Sequence, residues 1–427
     1  MSTRFLLKGG CVLTLGSRTP NFLDADVLIE GDRIAEVGPG IRARDAEQVD
    51  ARDTIVMPGF VDAHRHAWKS LFHNSEVANP GVDEHLEADD VYAATLVGLL
   101  GATEAGITTV VDWADHRFPE PALQAHKDAG LRTVLAVSPP GERSESWGEW
   151  PVGLRGAAGL PPTGGETARR GALATTIAHG SDDATTWSRA RESGLRIHAH
   201  ARSAGTITRW KDEGQLGPDV TLIHCSHASD ADLDAAVSSK SSVVLTPATE
   251  MSGESSMPPI QRIIGRGLRP GLGVDNTEVS PGDLFAQMRS VISVQHATVF
   301  ELKLAGKAGL PHLMTTREVI RYGTLDGARA VGLGNVTGSL EVGKQADLIV
   351  LRADRPNIVP VNDPIGAVVW GMDTSNVDWV FVAGRPLMSS GTLTADQGRA
   401  RELAIRALNR LNDSAGVLST ALSGESS

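Results

Sequence analysis

Cysteine is nearly absent from this chain: 427 residues hold only Cys11 and Cys225, and no CxxC pair occurs. That excludes a disulfide framework, and with it zinc held by paired cysteines in a structural site or a nucleobase-deaminase site. No stretch of about 18 uninterrupted apolar residues occurs, so a membrane-spanning helix is not expected. Basic runs are missing as well, and the net charge is −12. Nucleic acid and anionic membrane surfaces are therefore poor partners, and a small neutral or cationic molecule is easier to accommodate. The N-terminal MSTRFLLKGGCVLTL alternates like a strand and carries no signal-peptide cleavage site, which fits a cytoplasmic protein. Any metal must be held by histidines and carboxylates.

What is present is an ordinary globular composition, 41% hydrophobic and 22% charged, on a chain long enough for a large barrel with an accessory domain. Residues 1–55 read as short β-strands, RFLLKGGCVLTL, ADVLIEGDRIAEVG and DTIVMPG. Between residues 56 and 335 apolar strands alternate with helical stretches: IVMPGFVDAH, GITTVVDW, LRTVLAVSP, LATTIAHG, LRIHAHA, VTLIHCS, SVVLTP and RPGLGVD. Eight such alternations predict an α/β fold, a (β/α)8 TIM-type barrel whose chemistry sits where strands end and the following loops begin. Residues 336–427 return to strands in GSLEVGKQADLIVLR and VDWVFVAGRPLM, followed by the helical TADQGRARELAIRALNRLND and a polar tail. A small β-sandwich domain formed from both chain ends, flanking the central barrel, is the simplest assembly. Residues 141–170 form a Gly/Pro-rich connection containing Trp147 and Trp150, a candidate lid.

Ligand-type residues gather at the predicted strand ends. The first strand closes on His64 and His66, which face one way because strand side chains alternate, so two imidazoles can grip one divalent cation. The fifth closes on HAH, His198 to His200; the sixth runs into His224; the eighth ends at Asp275. Imidazoles and a carboxylate gathered in this way can hold a divalent cation, and a zinc-like ion brings the pKa of bound water toward about 7. Iron or manganese would be served by the same nitrogen and oxygen ligands.

PGFVDAHRH, the single histidines near the ends of strands five and six, the VD closing strand eight, and GSLEVGKQADLIVL together resemble the amidohydrolase superfamily, in its branch of cyclic deaminases and triazine-type hydrolases. The resemblance covers essentially the whole chain. It implies a metal-bearing (β/α)8 barrel with a β-sandwich from both ends, and one divalent metal, zinc foremost. It assigns His64, His66, His200 and Asp275 to the metal. Asp275 also takes a proton from the water, and His224 contacts that water or the substrate oxygen. His198 remains an alternative ligand on strand five. Binuclear relatives use a bridging lysine on strand four; no lysine lies between Lys127 and Lys211, and Glu166 falls in the loop GGETARR, so one metal is expected.

The chain departs from the family pattern at Ser203, where a glutamate usually donates to the ring nitrogen of an aminated heterocycle. Glu250 in LTPATEM is the candidate replacement; as a loop carboxylate it would instead pair with Arg262 or water. His227 is placed either in the pocket or at the start of a surface helix. Trp68 and Trp113 are candidates to stack on a flat substrate, in a chain with only 4% aromatic residues. Asp115, His116, His73, His85 and Glu84 lie on early loops and are further candidates for the pocket. The expected activity is metal-dependent hydrolysis at an sp2 carbon of a small cyclic or heteroaromatic substrate, by metal-bound hydroxide, with release of ammonia or an amine. Opening of a cyclic amide, loss of a non-nitrogen leaving group, a metal-assisted lyase or isomerase reaction, and a lapsed binding protein are the alternatives. A homodimer or larger homo-oligomer is compatible with the acidic surface.

Overall fold

The computed structural model describes residues 4–75, 82–115, 117–137, 171–177, 184–252 and 256–415. The expected lid over 141–170, with Trp147, Trp150 and Glu166, lies outside the described residues, as do His116 and the C-terminal tail.

The chain opens with β1 (Arg4–Val12), β2 (Phe22–Glu30), β3 (Arg33–Gly38), β4 (Glu47–Asp50) and β5 (Thr54–Pro58). Eight strands then follow: β6 (Phe60–Arg65), β7 (Ile107–Trp113), β8 (Arg132–Val137), β9 (Gly171–Ile177), β10 (Arg196–His200), β11 (Val220–Ile223), β12 (Ser242–Leu245) and β13 (Gly271–Leu272). These pair only with their sequence neighbours and always in parallel. Parallel strands in sequential order, with helices such as Ala88–Glu104, Pro119–Ala129 and Asp230–Ser239 between them, are an α/β arrangement of the TIM-barrel type. The segment that follows β13 bridges to the end of β6. Asp275 N–H donates to His64 O at 2.8 Å, and His66 N–H donates to Asp275 O at 2.6 Å.

The stretch IVMPGFVDAH, read above as one strand, is two. β5 belongs to a different sheet, and the chain crosses at Gly59, where a Cβ would lie 2.1 Å from the Thr108 side chain; only glycine lets the backbone pass. That other sheet has nine strands. It joins β1–β5 to β14 (Leu348–Arg352), β15 (Val377–Val382), β16 (Arg385–Ser389) and β17 (Thr392–Leu393). The seam between the chain's two ends is β5 against β14, antiparallel from Leu348 opposite Pro58 to Arg352 opposite Thr54. Phe5, Val27, Ile29, Val56, Leu348, Val350 and Phe381 form its buried core. The helix Gln397–Ala415 lies against the helix Ala88–Glu104, where Arg410 pairs with Asp90.

Within the parallel sheet the alternation of side chains divides two cores. On β10, Ile197 and Ala199 join the layer shared with the helices, which leaves His198 and His200 on the opposite face. That face is a separate cluster made by Val61 and Ala63, Val111 and Trp113, Val134 and Ala136, Ile223 and Val244. The strand that carries the first histidines is not regular: Asp62 pairs with Val110 but Arg65 with Asp112, so β6 holds one extra residue against β7. Such a bulge re-aims the residues that follow it.

Candidate metal centre

Four donor atoms converge at the C-terminal ends of these strands. His200 Nε2 lies 3.3 Å from His64 Nε2, and Asp275 Oδ1 lies 3.5 Å from both His64 Nε2 and His66 Nε2. The donor atoms of His64, His66 and His200 all lie within 4.8 Å of one another, as do those of His64, His224 and Asp275. His64 is fully buried, while His66 keeps 16% of its side-chain surface. Burial lowers the pKa of all three imidazoles, to about 3 for His66 and well below the ordinary value for His200. Neutral imidazole is the ligating form, so the donor set of three nitrogens and a carboxylate fits a divalent cation. Burial would raise Asp275, but the hydrogen bond to His64 and the fields of His64, His66 and His224 hold its carboxyl below the usual range.

The backbone bends to make this convergence. Ile223 already points into the cluster shared by the strands, so simple alternation would turn His224 away. His224 instead takes φ +69° and Cys225 φ +57°, and Asp275 takes φ +67°. Left-handed backbone at non-glycine residues is costly and concentrates at functional sites. Gly273 supplies the space. A Cβ there would lie 2.6 Å from His64 O, so the last strand presses against the first.

His198, the alternative ligand on β10, is buried with neither ring nitrogen hydrogen-bonded, and it belongs to neither donor group. Trp113 is buried and stacks on His200 with centroids 4.0 Å apart and planes at 15°, and it meets His64 and His66 edge-on. It packs the imidazoles into place. Trp68 is also buried, edge-on to His66 at 6.4 Å, with Lys69 over its ring. Ser203 and His227 are exposed on the loops after β10 and β11. Exposed too are His73, Glu84 and His85, whereas Asp115 is buried and held by Arg117, which also donates to Glu84 O.

Glu250 is neither in a loop nor paired with Arg262, which binds Asp230. It lies fully buried on the helix Pro247–Ser252, with Oε1 3.4 Å from His224 Nδ1.

Several residues that hold the site were not singled out from the sequence. Asp62 accepts from Arg65 Nε at 2.6 Å and from Val274 N at 3.0 Å, tying β6 to the segment that delivers Asp275. Asp112 accepts from Ala67 N at 2.8 Å, directly after His66, and meets His126 Nε2 at 2.7 Å; His126 Nδ1 lies 2.8 Å from Thr133 Oγ1. Asp112 sits beside Trp113 in VVDW, a visible signal, but its partners are remote in sequence. A surface cavity of about 1090 Å3 lined by Lys8, Arg52 and Asn362 contains none of these residues.

With this geometry the chain can be set beside known proteins. It is 27% identical over 420 residues to a 5-methylthioadenosine/S-adenosylhomocysteine deaminase of Syntrophobacter fumaroxidans, covering 91% of this chain and 93% of that protein. It is 26% identical over 441 residues to a 5'-deoxyadenosine deaminase of Methanosarcina mazei, covering 95% and 98%. In structure it is similar to an adenosine deaminase of Xanthomonas campestris with bound zinc, at TM-score 0.81 and 19% identity over 96% of this chain and 99% of that one. An atrazine chlorohydrolase of Arthrobacter aurescens complexed with zinc gives TM-score 0.80 at 19% identity, over 95% and 100%. The model of the amidohydrolase family matches residues 55–387, and the chain belongs to that family.

Proposed function

We propose that this chain is a metal-dependent hydrolase that deaminates a small heteroaromatic substrate of the adenosine type, releasing ammonia. The observation that carries the reading is the convergence of His64, His66, His200 and Asp275 within ligating distance of one another. Deaminase-named relatives along nearly the whole chain support the substrate class.

In this reading the four residues hold one divalent ion, with zinc as the first choice and iron or manganese the other candidates. Such an ion would supply Lewis acidity toward water and substrate. The chain's own groups do the rest. Asp275 accepts a proton from the attacking water and returns it to the leaving nitrogen, so that a C–O bond forms, the C–N bond breaks and no proton is gained or lost overall. His224, whose donor atom lies within 4.8 Å of those of His64 and Asp275, orients the water against the attacked carbon. Trp113 and Trp68 keep the imidazoles fixed and the wall apolar.

We take the eight-stranded parallel sheet to close into a barrel over residues 56–335, and the nine-stranded sheet to be the sandwich made by residues 1–55 and 336–427. The bridge between β6 and the Asp275 segment and the β5–β14 seam support that division. Two free cysteines suit the cytoplasm, and a homodimer or larger homo-oligomer is compatible with the chain.

A second reading has one specific support. Ser203, in place of the usual glutamate, is no acid, which favours a leaving group that departs without protonation. A panel of 5'-deoxyadenosine, S-adenosylhomocysteine and a chlorinated triazine separates the two readings by ammonia or chloride release. Elemental analysis of wild type and His66→Ala accompanies it. About one equivalent of metal, lost in the variant, with ammonia release is the expected result; a metal-free wild type that stays inert after reconstitution refutes both.

A further inference from the structure

We propose that Glu250 and Thr246 are positioning residues that fix the tautomer of His224, so that Nδ1 carries the proton and Nε2 presents a lone pair to the reacting water. The inference deepens the deaminase reading and rests on it for the reaction, but its geometry stands separately.

Glu250 is buried with no exposed surface, and its Oε1 accepts from Thr246 N at 3.0 Å and from Thr246 Oγ1 at 3.5 Å. A carboxylate only accepts, so the single hydroxyl proton of Thr246 is drawn toward Glu250. In this relay the lone pairs of Thr246 Oγ1 face His224 Nδ1, 3.0 Å away, and that nitrogen donates. The Glu250 carboxylate, 3.4 Å from the same Nδ1, favours a proton there for the same reason. With Nδ1 engaged, Nε2 is the nitrogen turned toward His64 and Asp275, with which His224 shares a donor group.

The support of Glu250 is itself rigid. Thr249 Oγ1 donates to Val274 O at 3.2 Å, one residue before Asp275, and Ala248 N donates to the buried Gln287 at 3.1 Å. The helix Pro247–Ser252 thus links the His224 ring to the segment that delivers Asp275. A carboxylate placed behind a histidine in this way does not reach the substrate. It gives His224 the acceptor face that holds the water in place while Asp275 takes its proton.

The test combines one substitution at Glu250 and two at Thr246 with a readout other than turnover. Two-bond correlation spectra of the holoenzyme labelled with 15N-histidine, with His224 assigned by loss of its signals in His224→Gln, read the tautomer directly. Wild type is expected to hold the Nδ1–H form. Glu250→Gln can donate to Thr246 and reverse the relay, and Thr246→Val removes it. Both are expected to lose the pure Nδ1–H signal and roughly a hundredfold in kcat, with KM within about threefold. Thr246→Ser, which keeps the hydroxyl, should retain both tautomer and rate. An Nε2–H tautomer in wild type overturns the proposal. So does a Glu250→Gln or Thr246→Val protein with the wild-type tautomer and kcat. Should Glu250→Gln fail to fold, the Val and Ser pair at Thr246 decides alone. A wild type that holds Nδ1–H yet releases ammonia from no aminated heterocycle supports the tautomer assignment and sinks the deaminase reading.

Discussion

The two ends of the parallel strands are built on opposite rules. At their N-terminal ends, charged side chains are held by groups of the protein itself. Arg132, at the start of β8, donates to Asp347 at 2.6 and 3.0 Å and to Gln345 at 3.2 Å, and Asp347 also accepts from Ala383 N at 2.7 Å. Arg196, at the start of β10, donates to Pro218 O, Thr221 Oγ1 and Ala330 O. At the C-terminal ends, imidazole nitrogens face one another 3.3 Å apart, a carboxylate joins them, and His224 and Asp275 sit in left-handed backbone. One end anchors its arginines on the protein's own acceptors and, through Arg132 and Asp347, meets the nine-stranded sheet beneath it. The other leaves acceptors aimed at a common point and bends the chain to do so, which makes sense only if something external satisfies them.

If that contrast is real, substitutions at the two ends must separate function from stability. The largest effect is expected for Asp275→Asn, which keeps the shape but removes the carboxylate proposed as proton acceptor and ligand. Turnover per folded molecule should fall by about a thousandfold or more, while the thermal midpoint of the metal-free protein stays within a few degrees of wild type. Retention of more than about a tenth of the rate would remove Asp275 from the mechanism. The mirror experiment is Arg132→Met, which strands Asp347 as a buried, unpaired charge. About 3–5 kcal/mol of stability should disappear in urea unfolding, with kcat and KM of the folded fraction unchanged. A comparable loss of activity at low denaturant would show that the two ends are coupled and the contrast overdrawn.

Legibility from sequence follows the same division between local and remote. His64, His66, His200 and Asp275 could be found because each stands at the end of an apolar run, and strand alternation is a local property. The order of the strands was equally legible from their alternation with helices. The boundary at Gly59 was not, because the crossing depends on the approach of Thr108, about fifty residues away. Nor could alternation aim His224, whose inward turn depends on its backbone angle and not on its place in the strand. Glu250 was visible as an unusual carboxylate, but its partner was not, since the contact joins the ends of two adjacent strands. The chain Thr133, His126, Asp112 and Ala67 N–H spans four elements and left only Asp112 as a trace.

The smallest effect sharpens the comparison most, because it concerns a carboxylate at the active end that is built like those at the other. Asp232 is fully buried and accepts from Gly205 N, Thr208 N, Thr208 Oγ1, Ser229 N and Ser229 Oγ, between 2.7 and 2.9 Å. It ties the loop that carries Ser203 to the helix Asp230–Ser239. Burial opposes its charge, yet those donors outweigh burial and bring its pKa from 3.8 down to about 2. A carboxylate lowered in the folded state stabilises the fold above its unfolded pKa, and that contribution is lost as pH falls through the folded value. Asp232→Asn should therefore be about 2 kcal/mol less stable than wild type at pH 6, with the gap closing between pH 4 and pH 2. Kinetic constants at neutral pH should change far less than in Asp275→Asn. A stability gap that stays constant across that pH range would mean the donors serve shape alone. A collapse of kcat with stability intact would mean that the loop bearing Ser203 takes part in the reaction, and the two carboxylates could no longer be told apart by how their oxygens are satisfied.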